Sequence, residues 1–227
     1  MQSKLSTLTE SGAAKLKEIS EKEGVYTDFL KFTGRVFKQD SSVALEFFAQ
    51  NSTIGYIATA RQWNAANYKI KGGSEAIRFT DENGNVSELY DFSQVTGDTP
   101  PKVWTINKEN VVQIKSAFGV PENSGLVATI TNQAVTNSQI AEHMRTLNVP
   151  PNEFAMFRKC YIGAVQTIIA GRFEIGGSKF DVNPDSSVFR KLGSEDLQIE
   201  FLTMVSNTSR ELLLKIEKII LENQETC

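Results

Sequence analysis

The segment from Phe154 to Ile169 constrains this chain most. It is long and apolar, and a helix that is apolar around most of its circumference has to lie inside a protein or a membrane. No run in the sequence reaches the roughly 18 apolar residues of a bilayer span, so the segment predicts a central buried helix with other elements packed around it. The rest of the second half also reads helical. Asn137 or Thr136 stands as N-cap before Ile140, Met144 and Leu147, with a stop ahead of Pro150-Pro151. Ser194 caps a helix carrying Leu197, Phe201, Leu202 and Val205. Thr208-Ser209-Arg210-Glu211 has capping-box spacing and predicts a separate last helix with Leu212, Leu213, Ile216, Ile219 and Ile220. Arg172 to Asn183, with Gly176-Gly177, reads as a loop or weak hairpin.

The first half mixes patterns. Residues 1–23 are polar, with four lysines against four glutamates, and Ser11 to Glu23 reads as a surface helix with few core contacts. Beyond Gly24, Tyr26, Phe29, Leu30, Thr33, Val36 and Phe37 recur at helical spacing. A polar break at Gln39 to Ser42 separates them from a second helical run, Val43 to Phe48. Ile54 to Trp63 fits either a helix or a strand. Two β-like runs follow, Ala76 to Thr80 and Val86 to Phe92, flanking Asp81-Glu82-Asn83-Gly84-Asn85, a hairpin connection with Asn-Gly at its tip. Thr99-Pro100-Pro101 ends that unit. Asn107 then reads as the N-cap of a helix with Val111, Ile114 and Phe118, stopped by Gly119 and Pro121. The predicted class is α+β, helix-rich with one small antiparallel sheet and a helical C-terminal half. Three regions follow: a polar segment 1–23, a mixed region 24–125 and a helical region 126–227 packed on it.

Composition narrows the chemistry. A length of 227 residues can bury its own core. Two cysteines, one histidine and no CxxC or HExxH exclude an ordinary zinc site. A Ser-His or Cys-His mechanism would have to use His143. No GxxxxGK[ST] or GxGxxG phosphate loop is present. His143 lies beside the apolar face of its predicted helix and reads as structural; Cys160 reads as buried and inert, Cys227 as terminal and disordered. Low cysteine usage and an N-terminus without an apolar signal core point to the cytoplasm, with no membrane partner.

The formal net charge of −3 conceals an asymmetry. Residues 24–79 hold seven basic and four acidic side chains, a balance of +3, and residues 80–125 hold three against seven, a balance of −4. A basic face interleaved with aromatics, here Tyr56, Trp63, Tyr68 and Phe79, is the footprint of single-stranded nucleic-acid binding. The same pattern also fits a solvated basic surface over an aromatic core. Lys69 and Lys71 beside Gly72 could set ammonium charge and backbone N–H groups against a phosphate. Arg61 and Trp63, with Tyr68, could stack and pair with a base or phosphate, although an isolated tryptophan is more often core. Arg35 and Lys38 fall at i, i+3 on one helix face, and Gln50 could hydrogen-bond a base or backbone. If a strand is cut, the chemistry is metal-assisted or general acid–base, with Glu46, Glu75 and Asp91 as the available carboxylates. No catalytic residue and no metal ligand is assigned, and no cofactor is implied; a divalent metal enters only if the chain is a nuclease.

One run carries a resemblance: Phe48-Ala49-Gln50-Asn51-Ser52, Ile57-Ala58, Gln62-Trp63, Tyr68-Lys69-Ile70-Lys71-Gly72-Gly73, Ile77 and Leu89-Tyr90-Asp91-Phe92-Ser93. It resembles the N-terminal domain of ArdC-type antirestriction proteins and the LtrC-like proteins of Gram-positive mobile elements. The spacing from Gln50 through Trp63 to Lys71-Gly72 matches the family pattern without a gap. Leu192-Gly193 and Ser209 to Glu217 look like the continuation in the Gram-positive versions. The departures are Gln39-Asp40 at the family's tyrosine-serine position, Ser42 or Val43 at its asparagine, Ser52 at the proline after Gln, and Ile54-Gly55 at Ala-Thr. The metallopeptidase half, with its HExxH helix, is absent. The resemblance implies a counter-defence protein that binds single-stranded DNA or RNA. Free-standing type II anti-CRISPR proteins share this look, some acting on the guide RNA of Cas9 with loss of part of it. The implied partners are therefore a single strand or guide RNA, and Cas9 or its ribonucleoprotein. A small ribonuclease, a single-stranded-DNA-binding accessory protein of conjugation and an acidic DNA mimic acting through residues 80–125 stay open beside this reading.

Overall fold

The structure, a computed structural model, describes residues 8–80, 86–97, 104–177, 180 and 182–224. The apolar segment forms the centre. Helix α8 (Phe154–Phe173) buries Phe157, Cys160, Tyr161, Val165, Ile168, Ile169 and Phe173 completely. Helix α2 (Glu23–Arg35) crosses it at very close range, because two glycines face each other's backbone. A Cβ placed on Gly34 would lie 1.9 Å from the Ile168 carbonyl oxygen, and one on Gly171 would lie 2.3 Å from that of Lys31. Only glycine permits such an approach. The ion pair Lys31–Glu174, at 2.9 Å, ties the same crossing.

Helices α1 (Glu10–Glu21) and α3 (Ser41–Gln50) pack beside this pair. Leu16 and Ile19 of α1 are fully buried, so this helix is part of the core rather than a surface helix with few contacts. The reason is tertiary: buried Glu46 accepts hydrogen bonds from the backbone N–H and hydroxyl of Thr9, both at 2.7 Å, and holds the N-terminus of α1 on α3. Gly24 lies in the first turn of α2, and Lys22 alone separates the two helices.

The ambiguous run Ile54 to Trp63 is both strand and helix. Strand β1 (Ile57–Thr59) leads into α4 (Ala60–Ala65) through a capping box between Thr59 and Gln62. Next come β2 (Lys69–Ile70), β3 (Ile77–Thr80), β4 (Val86–Asp91) and β5 (Val95–Thr96). The antiparallel sheet has the order β1-β4-β3, with Ile57 opposite Asp91 and Ile77 opposite Leu89, and β2 pairs with β5 in a separate two-stranded ribbon. The expected pairing of β3 with β4 is present. Its connection at 81–85 lies outside the described residues, as do Thr99-Pro100-Pro101 and Cys227.

The helical half follows: α5 (Lys108–Ala117), α6 (Leu126–Ala134), α7 (Asn137–Thr146), then α8, α9 (Ser187–Lys191) and α10 (Glu195–Gln224). Asn107 caps α5 with a reciprocal bond to Asn110, and Thr136 rather than Asn137 caps α7. Two helices carry no sequence signal used above. Helix α6 starts at Gly125 without a side-chain cap, and α9 is only five residues long. The predicted break at Thr208-Ser209 does not occur, and α10 runs unbroken for 30 residues. The Ser209 hydroxyl turns back to the Val205 carbonyl and the Thr208 hydroxyl meets that of Tyr161, so neither caps a new helix. Arg172 and Phe173 complete α8, followed by a 3-10 turn, Glu174–Gly176, that ends in Gly177 at φ +84°. That segment forms no hairpin among the described residues. One apolar core runs from Leu16 to Ile220, with a satellite cluster of Trp63, Tyr68 and Val95. No helix among the described residues is long and apolar enough to cross a membrane.

Candidate functional site

A cleft of about 800 Å³ opens where the sheet meets the helical body. One wall is the C-terminus of α2, Arg35, with the turn Val36 to Gln39; the other is Gly55 to Ala58 and the Gln62, Trp63 and Ala66 side of α4. Trp104, Arg172 from α8 and Glu217 from α10 complete the lining. The glycine crossing builds this arrangement. Gly34 and Gly171 each precede an arginine, and the contact of the two helices delivers Arg35 and Arg172 to the same cleft.

Arg172 is the unusual group. It is 4% exposed, and its guanidinium carbon stands 4.1 Å from the Trp104 ring centre and 5.6 Å from that of Phe37. One Nη donates to the Trp104 carbonyl at 3.0 Å, while Nε has no hydrogen-bond partner among the described residues. Burial draws its pKa down to about 10, against the opposing field of Glu217, so it stays charged at neutral pH. Glu217 accepts from Lys38 Nζ at 2.8 Å and from Trp104 Nε1 at 3.1 Å. Arg35 is half-buried, donates to the Ser52 carbonyl at 2.7 Å and lies 5.2 Å from the Phe32 ring centre. Burial lowers its pKa, opposed by the charges of Asp91, Asp28 and Glu174. Among the described residues the cleft therefore holds three cationic side chains against one carboxylate. Tyr56 stands at its edge, 43% exposed, with its ring edge-on to Trp63.

The residues singled out from sequence are divided by the fold. Arg35 and Lys38 both reach the cleft, but not as one helix face, since α2 ends at Arg35 and Lys38 lies in the following turn. Trp63 is not a stacking platform. It is 2% exposed, donates from Nε1 to the Tyr90 carbonyl at 2.8 Å, and packs edge-on against Tyr68, itself 5% exposed. Gln50 is structural: its amide bridges the Glu46 and Arg78 carbonyls, joining α3 to β3. Arg61, Lys69, Lys71 and Gly72 are exposed, and the Lys71 ammonium holds the Ser93 carbonyl at 2.6 Å.

Of the three available carboxylates, two do structural work. Glu46 anchors α1, and Asp91 accepts from the backbone N–H groups of Gly55, Tyr56 and Ser93. Burial pushes the Asp91 pKa up, but these bonds outweigh it and hold the carboxyl below its ordinary range. Glu75 is exposed and apart from the cleft lining. Among the described residues no three His, Cys, Asp or Glu side chains stand together as a metal site. His143 packs 5.1 Å from Tyr161, its buried Nδ1 has no partner among the described residues, and burial lowers its pKa. The Cys160 thiol is buried against Ser187 and pushed up in pKa by that burial. Within the acidic region 80–125, Glu88 is paired with Arg78 at 2.9 Å.

Arg172, Trp104 and Glu217 were not singled out from sequence. The repeated Gly-Arg dipeptide, at 34–35 and 171–172, is the one local trace of Arg172's placement. No protein-family model, curated protein or solved structure matches the chain.

Proposed function

We propose that this chain binds single-stranded nucleic acid, with the cleft as its anchoring site. The observation that carries the reading is the convergence of Arg35, Lys38 and Arg172 on one cleft with the exposed ring of Tyr56 at its edge. Cations that meet phosphates and aromatic rings that stack bases are the two components of single-strand recognition. Arg61, Lys69 and Lys71 are exposed outside the cleft lining, and in this reading they meet further phosphates of the strand. The resemblance of residues 48–93 to the antirestriction domain supplies the biological role in this reading. The chain is a counter-defence protein of a mobile element, and the guide RNA of a CRISPR nuclease is its strand.

Fluorescence anisotropy with labelled single-stranded RNA, single-stranded DNA and guide RNA at two salt concentrations tests the proposal. Binding should weaken with salt along a slope set by the phosphates engaged, and Lys69→Glu with Lys71→Glu should lower affinity and flatten that slope. Absence of binding, or binding without a salt slope, refutes it. Incubating the protein with end-labelled guide RNA shows directly whether the strand is shortened.

A further inference from the structure

The cationic groups of the cleft are graded by depth. Lys38 is exposed, Arg35 half-buried and Arg172 only 4% exposed, while the Tyr56 ring in the same lining is 43% exposed. Arg172 has no carboxylate within ion-pair distance among the described residues, and its Nε is unpartnered. A guanidinium buried without a counter-ion is costly, and an anion arriving in the cleft relieves that cost. Glu217, the one carboxylate in the lining among the described residues, is already engaged by Lys38 and Trp104. At about 800 Å³ the cleft lies within the roughly 300–1,000 Å³ of pockets that enclose a single small molecule, so it has room for about one nucleotide.

We infer that the cleft is an end-binding pocket that takes the terminal phosphomonoester of a single strand, the phosphate against Arg172, Arg35 and Lys38 and the terminal base at Tyr56. The inference rests on the strand-binding reading above and specifies which part of the strand enters. An internal phosphodiester carries one charge and two chain arms, and both arms would have to enter the cleft before it reached Arg172. A terminal phosphomonoester carries between about −1.5 and −2 charges at neutral pH and has a single attachment, so it reaches the base of the cleft alone. A guanidinium can meet it with two parallel N–H donors. A free nucleoside monophosphate presents the same group, and the experiment separates the two carriers.

The test compares one oligonucleotide with a 5′-phosphate, a 3′-phosphate or hydroxyl ends, together with free nucleoside monophosphates, by anisotropy and competition. The wild-type chain should bind one phosphorylated end about tenfold or more tightly than the hydroxyl form, the scale of a charge-assisted hydrogen-bonded contact. Lys38→Ala, at an exposed side chain, and Arg172→Met should bring that ratio to within about twofold. Lys69→Ala should weaken all strands alike and leave the ratio standing. The wild-type comparison needs no variant, so instability of Arg172→Met leaves the test intact. Equal affinity for phosphorylated and hydroxyl ends overturns the end pocket while strand binding stands. A ratio that survives Lys38→Ala and Arg172→Met removes the cleft as its source. Binding of the free nucleotide but of no strand overturns the strand as carrier, and binding of neither overturns both readings.

Discussion

Replacing Gly34 by alanine probes the contact on which both the core and the cleft depend. The added methyl would fall 1.9 Å from the Ile168 carbonyl oxygen and 2.8 Å from the Arg172 amide nitrogen. These are the acceptor and donor that the helical ladder pairs at that turn of α8. Neither atom belongs to a side chain, so no rotamer change relieves the overlap. The helices must separate by roughly 1.5 Å to restore ordinary van der Waals distances. Overpacking costs about 1–3 kcal/mol, and the rigid backbone obstacle places this case near about 3. Alanine's higher helix propensity returns about 1 kcal/mol, so Gly34→Ala should destabilise by about 2 kcal/mol. For a chain of this length that corresponds to a fall in Tm of about 4–8 °C. Urea unfolding with an unchanged m-value measures it directly. Gly163→Ala on the same helix is the internal control, because its Cβ would meet Pro184 Cα at an ordinary 3.5 Å. It should be neutral or stabilise by up to about 1 kcal/mol. If Gly34→Ala behaves like Gly163→Ala, the close backbone crossing of α2 and α8 is wrong, and with it the placement of Arg35 beside Arg172.

Three further outcomes follow from other contacts. Asp91 has a folded-state pKa below its unfolded value, so its stabilisation is complete above the ordinary carboxylate range and disappears as pH falls through the folded value; Asp91→Asn should remove that acid-side loss of stability in a pH series of urea melts. Glu46→Ala removes both bonds to Thr9 and should cost about 1–2 kcal/mol, with faster proteolysis near residue 9 as the sign that α1 has loosened. Glu217→Gln weakens the hold on Lys38 and removes a carboxylate from the cleft lining, so it should raise affinity for single strands several-fold at low salt. An unchanged or lower affinity in a stable variant would count against the cleft as the anion site.

The elements legible in the sequence were those whose signals are complete within a few residues. Asn107 bonds Asn110 and Thr136 bonds Gln139, so both caps could be read locally. The β3–β4 pairing was visible for the same reason, since two β-rich runs flank one turn signal. Thr208-Ser209 misled because the capping-box spacing is necessary but not sufficient. Its hydroxyls are taken by Tyr161, on another helix, and by the Val205 carbonyl of the same helix. Helix α6 escaped because it has no capping side chain. Trp63 and Tyr68 fitted both a stacking and a core reading in sequence, and the tertiary structure places both in the core, packed with Val95 where β2 pairs with β5.

What the sequence determined alone is therefore the helix-rich class, the helix over Phe154 to Ile169 with its buried face, and the basic character of residues 24–79, because composition and period are properties of the chain itself. The cleft was decided only by the tertiary structure. Arg35 and Arg172 come from helices whose crossing is pinned by Lys31 and Glu174, 143 residues apart in sequence. Two glycines allow that crossing, and nothing in their own neighbourhoods says which backbone each will meet. Local hydrogen bonds can be read from spacing. A contact between distant backbones exists only once the chain has closed on itself.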